Sequence, residues 1–144
     1  MFIPSAFFIS NSIPKSGSSL IYNYQRSLFC NVYSTDMVDS YVRLSELLDI
    51  DCLSGFVPPS SIPALEKLLM NAHSFNLISP CVIKTHSPFS LPFSRFLRSS
   101  SNVFSSLCIR DPHQVLKSAI INHRRRPHEF KYFVNPILGS LRIT

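Results

Sequence analysis

Residues 6–28 join an apolar run to an amphipathic run through a short loop, and this pattern constrains the fold more than any other stretch. Residues 6–9 are continuously apolar, which is typical of a strand buried on both faces of a parallel sheet. After Gly17, two serines can cap a helix. Its apolar side is expected to carry Leu20, Ile21, Tyr24 and Leu28. The sequence therefore predicts a strand, a loop and a helix in succession.

The loop before this helix has the chemistry of an anion site. The N–H groups at a helix N-terminus, together with the helix dipole, attract phosphate or sulfate. Lys15 adds a positive charge, and Gly17 has no Cβ, so the backbone can approach an anion closely. The hydroxyls of Ser16, Ser18 and Ser19 are further donors. The alternative is an ordinary strand-to-helix turn with a serine cap and no ligand.

The loop differs from the ATP-type phosphate loop, in which a lysine follows the second glycine, because Lys15 precedes Gly17. An ATP-using kinase would also need an acidic residue at the end of a neighbouring strand to bind Mg²⁺. Asp111 is the only candidate, and it follows Arg110 rather than an apolar strand end. ATP-dependent phosphoryl transfer is therefore disfavoured.

Composition predicts one globular domain over residues 1–144, because 45% of the residues are hydrophobic and can form a core. The net charge of +6 suits an anionic partner, such as a nucleotide, a nucleic acid, a sulfated sugar or an acidic membrane surface, without choosing among them.

The apolar first ten residues lack a basic segment, so they are expected to form a strand rather than a signal peptide. No apolar run reaches the length of about 18 residues needed for a membrane span.

The cysteines show neither a C-x-x-C pair nor the spacing of a zinc finger, so no metal site and no redox motif are expected. Cys81 and Cys108 fall in apolar runs, which favours buried reduced thiols and a cytoplasmic location. A disulfide remains an alternative, but the sequence does not pair the four residues Cys30, Cys52, Cys81 and Cys108.

Further helices and strands alternate along the rest of the chain. A short helix is predicted near residues 38–48, and a second should follow Pro58-Pro59 and run to about His73. Strands are predicted at 81–83 and 103–109, with a short helix at 91–98 between them. The last predicted helix begins at Pro112, and residues 129–144 lack a clear pattern. The buried face of the helix after Pro58-Pro59 is expected to carry Leu65, Leu68, Leu69 and Ala72. The buried face of the helix that begins at Pro112 is expected to carry Val115, Leu116, Ala119 and Ile120.

Polar residues follow the second predicted strand where it ends, at Lys84, Thr85 and His86. Ligands of open α/β sheets bind outside the carboxyl ends of the strands, so Lys84 and His86 should face the same crevice as the Lys15 loop. In an extended segment, residues 84 and 86 point to one side and residue 85 to the other.

The basic run at residues 123–126 is typical of a solvated helix end, and the alternative is a nucleic-acid patch. A nucleic-acid site would need aromatic residues interleaved with the charge, and Phe130 and Tyr132 offer little of this. A nucleic-acid partner is therefore not expected.

Three segments together resemble the sulfotransferase family. The string PKSGSS, with FFIS upstream, is similar to the family's loop for the 5′-phosphosulfate of 3′-phosphoadenosine 5′-phosphosulfate (PAPS). CVIKTHSP resembles the segment that ends in K-T-H-x-P, and LCIRDPHQVLKSAIINH resembles the 3′-phosphate segment. The segments occur in the family's order at predicted strand ends and span about 60 of the 144 residues.

The resemblance implies a P-loop nucleotide-hydrolase-like α/β fold, a three-layer sandwich with a mainly parallel central sheet. It implies an enzyme that transfers a sulfuryl group from PAPS to a hydroxyl or amine of a small-molecule or glycan acceptor, without a metal. His86 would be the general base, Lys15 would stabilise the leaving phosphate, and Lys84 would balance charge on the sulfuryl oxygens. The cofactor would be held by Lys15, Ser16, Gly17, Ser18, Ser19, Leu20, Arg110 and Ser118.

The chain also departs from the family's pattern. Leu20 stands where many members have tryptophan, and Ser18 and Ser19 replace threonines. Family members are usually much longer and supply a later lid over the 3′-phosphate, so the domain is expected to be C-terminally incomplete. The alternative function is therefore a catalytically inactive, truncated remnant that binds an adenosine phosphate or a protein partner.

Overall fold

The computed structural model describes residues 5–13 and 17–125. The chain alternates strands and helices, which confirms the predicted α/β class. A short 3₁₀ helix, Pro59–Ser61, lies between α2 and α3. The strands and helices are, in order, β1 (Phe7–Ser12), α1 (Ser18–Tyr33), α2 (Val38–Leu48), α3 (Ile62–Met70), α4 (Ala72–Ile78), β2 (Cys81–Thr85), α5 (Leu91–Ser99), β3 (Val103–Cys108) and α6 (Pro112–Arg125).

The three described strands form one parallel sheet in the order β2-β1-β3. In this sheet Ile9 of β1 is level with Ile83 of β2 and with Ser105 of β3. The carboxyl ends of the strands therefore meet at one edge of the sheet, where Ser12 pairs with Cys108. This edge positions the segments that the sequence marks as functional.

The core is built around β1, whose Phe7 and Ile9 are fully buried and whose remaining residues are buried or half-buried. This confirms the prediction of a strand buried on both faces of a parallel sheet. Side chains from the surrounding helices complete the cluster, among them Tyr22, Tyr41, Leu44, Leu65, Leu69, Phe75 and Phe93.

The outer edge of β2 is covered by the segments that precede it in the chain. The Tyr41 hydroxyl donates to the Val82 carbonyl at 2.7 Å, and the Val82 N–H donates to the Met37 sulfur at 3.2 Å. Farther along, the Lys84 N–H donates to the Gly55 carbonyl at 2.7 Å, and the Val57 N–H donates to the Lys84 carbonyl at 2.9 Å. These bonds satisfy backbone groups that a bare sheet edge would leave to solvent.

The predicted serine cap and apolar face of α1 are wrong. The N-cap residue is Gly17, and no side chain makes a cap bond there. The backbone at this position has a φ of 84°, a left-handed conformation that glycine adopts easily. The four residues Leu20, Ile21, Tyr24 and Leu28 are exposed, and α1 instead buries Ser18 and Tyr22. The helix is oriented by polar contacts, since the Tyr22 hydroxyl bonds to that of Tyr41 and Gln25 donates to Ser106.

The helix predicted after Pro58-Pro59 is interrupted at Asn71. The Asn71 side chain accepts from the Ser74 N–H at 3.1 Å and so caps a separate helix, α4. Leu65 and Leu69 are buried as predicted, and Leu68 is half-buried, but Ala72 is exposed at the start of α4.

The burial predicted for α6 is wrong in part. Val115 is buried, whereas Leu116 and Ile120 are exposed, because no described element covers that side of the helix. The Ala119 side chain lies outside what the structure describes. Cys81 is buried as predicted, but Cys108 is only half-buried, because β3 is an outer strand among the three that the structure describes. Within the described residues, no helix has the length and apolar character to cross a membrane.

Candidate functional site

His86 lies just beyond β2 and is tethered to the last residue of β1. Its Nδ1 is 2.9 Å from the Ser12 carbonyl oxygen and 3.1 Å from the Ser12 hydroxyl. Because a carbonyl oxygen can only accept, Nδ1 must carry the proton of this bond. In the neutral ring, Nε2 then keeps its lone pair and can accept a proton.

The surroundings of His86 favour that neutral ring. Burial lowers the pKa of His86 below its ordinary value, and the positive charge of Lys84 lowers it further. The hydrogen bond to the Ser12 backbone opposes these effects but does not outweigh them. The Phe56 ring, with its centroid 5.6 Å from that of the imidazole, forms one wall beside it. His86 is therefore suited to act as a base near neutral pH.

Lys84 links β2 to the start of α1. Its Nζ donates to the Ser19 hydroxyl at 2.8 Å, which places an ammonium group at the first turn of that helix. No acidic residue occupies the turn, so the positive end of the helix dipole and the lysine charge reinforce each other. Together they make the start of α1 attractive to an anion.

The N-terminus of α1 has both amide donors and space before it. The N–H groups of Leu20 and Ile21 donate to the Gly17 carbonyl. The amides of Ser18 and Ser19, which precede them, have no acceptor within the helix. A Cβ on Gly17 would meet nothing within 4 Å. The amides of Ser18 and Ser19 are therefore the groups of α1 that can donate to an anion.

Arg110 and Ser118 lie on the β3 side of the edge. The Arg110 Nε donates to Gln114 at 2.8 Å, and Asp111 accepts from the His113 N–H at 2.9 Å, which caps α6. Ser118 is half-buried in the second turn of α6. This pair and His86 follow strands that lie on opposite sides of β1.

The structure thus brings His86, Lys84 and the first turn of α1 together at one sheet edge, and it places Arg110 beyond the neighbouring strand. Lys15 and Ser16 lie outside the described residues, so their roles remain predictions.

Asn11 is a site residue that the sequence analysis missed. Its side chain donates to the Ser87 carbonyl at 2.7 Å and accepts from the Ser12 N–H at 2.8 Å. It therefore joins the segment that carries His86 to the residue that orients the ring. The available signal was the polar run Ser10-Asn11-Ser12, which ends a strand that begins with apolar residues. Phe56 had no such signal, because its contact with His86 arises only in the folded chain.

A second concave surface lies away from the strand ends. This groove of about 690 Å³ follows the second half of α1 and the turn after it. The groove is lined by Asn23, Arg26, Ser27, Cys30, Asn31, Ser34, Thr35 and Asp36. Within residues 5–13 and 17–125, no cluster of three or more histidine, cysteine, aspartate or glutamate side chains is arranged to hold a metal ion.

Searches of protein-family models, curated proteins and solved structures returned no match to this chain.

Proposed function

We propose that the chain is a sulfotransferase-like protein that transfers a sulfuryl group from PAPS to a hydroxyl or amine acceptor. The observation that carries the proposal is the juxtaposition of His86 and Lys84 with the start of α1. The three motif segments supply the rest of the argument, because each follows a strand of one parallel sheet. In this proposal the sheet is part of a P-loop-like, three-layer domain.

His86 acts as the general base. With Nδ1 donating to Ser12, Nε2 takes the proton of the acceptor hydroxyl or amine as that group attacks sulfur. The lowered pKa of His86 keeps the imidazole neutral at pH 7 and therefore ready for this role. A correctly placed general base contributes roughly 10²- to 10⁴-fold in rate.

The start of α1 holds the 5′-phosphate through its backbone amides, and Lys84 stabilises negative charge on the sulfuryl oxygens. Lys15 stabilises the leaving phosphate, and Arg110 and Ser118 hold the 3′-phosphate. PAPS, when bound, supplies the sulfuryl group and a phosphate leaving group, so the transfer needs no metal. The open space at Gly17 and the absence of an acidic residue in the first turn of α1 fit the two negative charges of the 5′-phosphosulfate.

All four cysteines are free thiols, which supports a reducing compartment such as the cytoplasm.

Transfer from sulfur-labelled PAPS to a panel of phenols, alcohols and amines tests the proposal. The variant His86→Asn should lose at least about 10²-fold in rate while retaining affinity for adenosine 3′,5′-bisphosphate. His73→Asn is the matched control, because His73 is exposed on α4, and it should retain full activity. Transfer that is unchanged in His86→Asn would contradict the base assignment.

The alternative, a non-catalytic binder of adenosine phosphates, predicts a different outcome. Such a protein would bind the bisphosphate with the same dependence on Lys84 but would transfer no label to any acceptor. Measurements of binding and transfer on one preparation separate the two functions.

A further inference from the structure

Three residues that precede α3 pair with the end of β2 through a parallel bridge. The Lys84 N–H donates to the Gly55 carbonyl at 2.7 Å, and the Val57 N–H donates to the Lys84 carbonyl at 2.9 Å. Phe56, between these two residues, is therefore level with Lys84. Gly55 and Val57 are buried, whereas Phe56 is half-buried. The backbone of Phe56 is thus fixed to β2 from both sides.

The local sequence explains why this pairing is so short. Gly55 has a φ of 79°, so the chain turns immediately before Phe56. A residue that precedes proline favours an extended backbone, and Val57 precedes Pro58. Pro58 has no N–H to donate and cannot continue the pairing. A glycine on one side and a proline on the other therefore determine where the Phe56 side chain begins.

The register of the bridge also sets the direction of the Phe56 side chain. Residues that are level on neighbouring strands project from the same face of a sheet, as do residues two positions apart along one strand. Phe56, Lys84 and His86 are therefore expected on one face. The Phe56 ring centroid lies 5.6 Å from that of His86, with 51° between the ring planes. The contact between the two rings follows from the pairing of the backbone.

We propose that Phe56 is a positioning residue for His86, because the bridge to Lys84 holds its ring against the imidazole and keeps water from that side. Ser12 holds the opposite requirement of the ring, since its carbonyl oxygen accepts from Nδ1 at 2.9 Å. The imidazole is thus fixed by a polar partner on β1 and an apolar partner beside β2. The inference rests on the proposed function where it treats His86 as a base, whereas the protonation of the ring is measurable without any transfer.

The groups around His86 allow the contribution of Phe56 to be isolated. Burial is the largest cause of the lowered pKa of His86, and the positive charge of Lys84 on β2 adds to it. Ser12 on β1 and Phe56 bring no charge to the ring. Lys84 is therefore the charged side chain that acts on His86 among the residues that the structure describes. Loss of the Phe56 ring should admit water and leave the effect of Lys84 in place.

Titration of the His86 ring by nitrogen-15 spectroscopy on the complete chain tests the proposal. In Phe56→Ala the pKa of His86 should rise toward its ordinary value of 6.5, because water reaches the imidazole. Phe56→Leu keeps an apolar side chain beside the ring and should retain most of the lowering. Phe104→Ala is the matched control and should leave the pKa of His86 unchanged, since Phe104 is exposed on β3, across β1 from His86.

Two results of this titration would overturn the proposal. One is an unchanged pKa of His86 in Phe56→Ala. The other is an equal rise in Phe56→Ala and Phe56→Leu, because apolar bulk beside the imidazole would then have no effect. A further measurement needs no variant to fold, since nuclear Overhauser contacts between the ring protons of Phe56 and His86 should appear in the unsubstituted chain. Their absence would also overturn the proposal.

The pH dependence of sulfuryl transfer separates this inference from the proposed function. A base acts in its deprotonated form, so the acidic limb of the rate profile should move to higher pH in Phe56→Ala. A raised pKa of His86 without any transfer would support the role of Phe56 and contradict the sulfotransferase proposal. Transfer with an unchanged acidic limb and an unchanged pKa would support the sulfotransferase proposal and overturn the role of Phe56.

Discussion

Replacing Gly55 with alanine should be strongly destabilising, because two separate constraints meet at this residue. Its φ is 79°, a left-handed conformation that costs an L-residue roughly 1–2 kcal/mol. A Cβ would also overlap the Tyr22 hydroxyl, lie 2.9 Å from the Tyr22 Cζ and lie 3.1 Å from the Tyr41 hydroxyl. Forcing an extra carbon into a packed core costs roughly 1–3 kcal/mol. The free energy of unfolding should therefore fall by about 2–5 kcal/mol.

Gly17 provides a matched control within the same chain. Its φ is 84°, but a Cβ there would meet nothing within 4 Å. Gly17→Ala should therefore lose only the conformational part, roughly 1–2 kcal/mol. Urea denaturation of both variants gives the comparison directly, as a shift in midpoint at constant slope. Equal destabilisation of the two variants would refute the packing argument at Gly55.

A double-mutant cycle identifies the overlapping atom. Tyr22→Phe alone loses the bonds of its hydroxyl to Tyr41 and to the Ser54 carbonyl, a loss of roughly 1 kcal/mol. In the Gly55→Ala background the same change removes the overlapping oxygen. The double variant should therefore be more stable than the sum of the single effects predicts, by roughly 0.5–3 kcal/mol. Additive effects would contradict the geometry.

Two further predictions concern His86. Because its pKa is lowered in the folded chain, the unfolded chain binds more protons below the ordinary value of 6.5. Stability should therefore fall as the pH drops below 6.5, and His86→Gln should flatten this dependence in urea denaturation at several pH values, whereas His73→Gln should not. Asn11→Ala should cost roughly 1–3 kcal/mol, since it removes the bonds to Ser87 and Ser12. In nitrogen-15 spectra of the ring, this variant should also weaken the preference for a proton on Nδ1, because the Ser12 carbonyl that accepts it is less firmly held, while Asn102→Ala should leave the preference unchanged.

The alternation of strands and helices was predictable because it depends on local patterns. The apolar run before Asn11 and the β-branched residues before Lys84 are short-range signals, and both become parallel strands. The polar residues at the ends of these strands lie at one edge of the sheet, because parallel strands end at the same edge.

The orientation of α1 was not predictable from periodicity, although the buried residues Leu65 and Leu69 of α3 were. Leu20 and Leu28 suggested the buried face of α1, yet Leu20 is 77% exposed and Tyr22 is buried. The position of α1 depends on long-range bonds, such as that between Gln25 and Ser106, which a helical pattern cannot reveal. The hydrogen bond between His86 and Ser12 was missed for the same reason, because it joins residues 74 positions apart in the chain.

Calorimetric titration of the complete chain with adenosine 3′,5′-bisphosphate tests the central claim most directly, with ATP as the control ligand. Lys84→Met should weaken binding at least about tenfold, equivalent to about 1.4 kcal/mol, because it removes the ammonium group beside α1. Lys67→Met is the matched control, since Lys67 is exposed on α3, and it should bind normally. Micromolar binding that prefers the bisphosphate over ATP and depends on Lys84 is the predicted result. A folded chain that does not bind the bisphosphate would contradict the claim. So would a chain that binds the bisphosphate and ATP equally, with or without the Lys84→Met substitution.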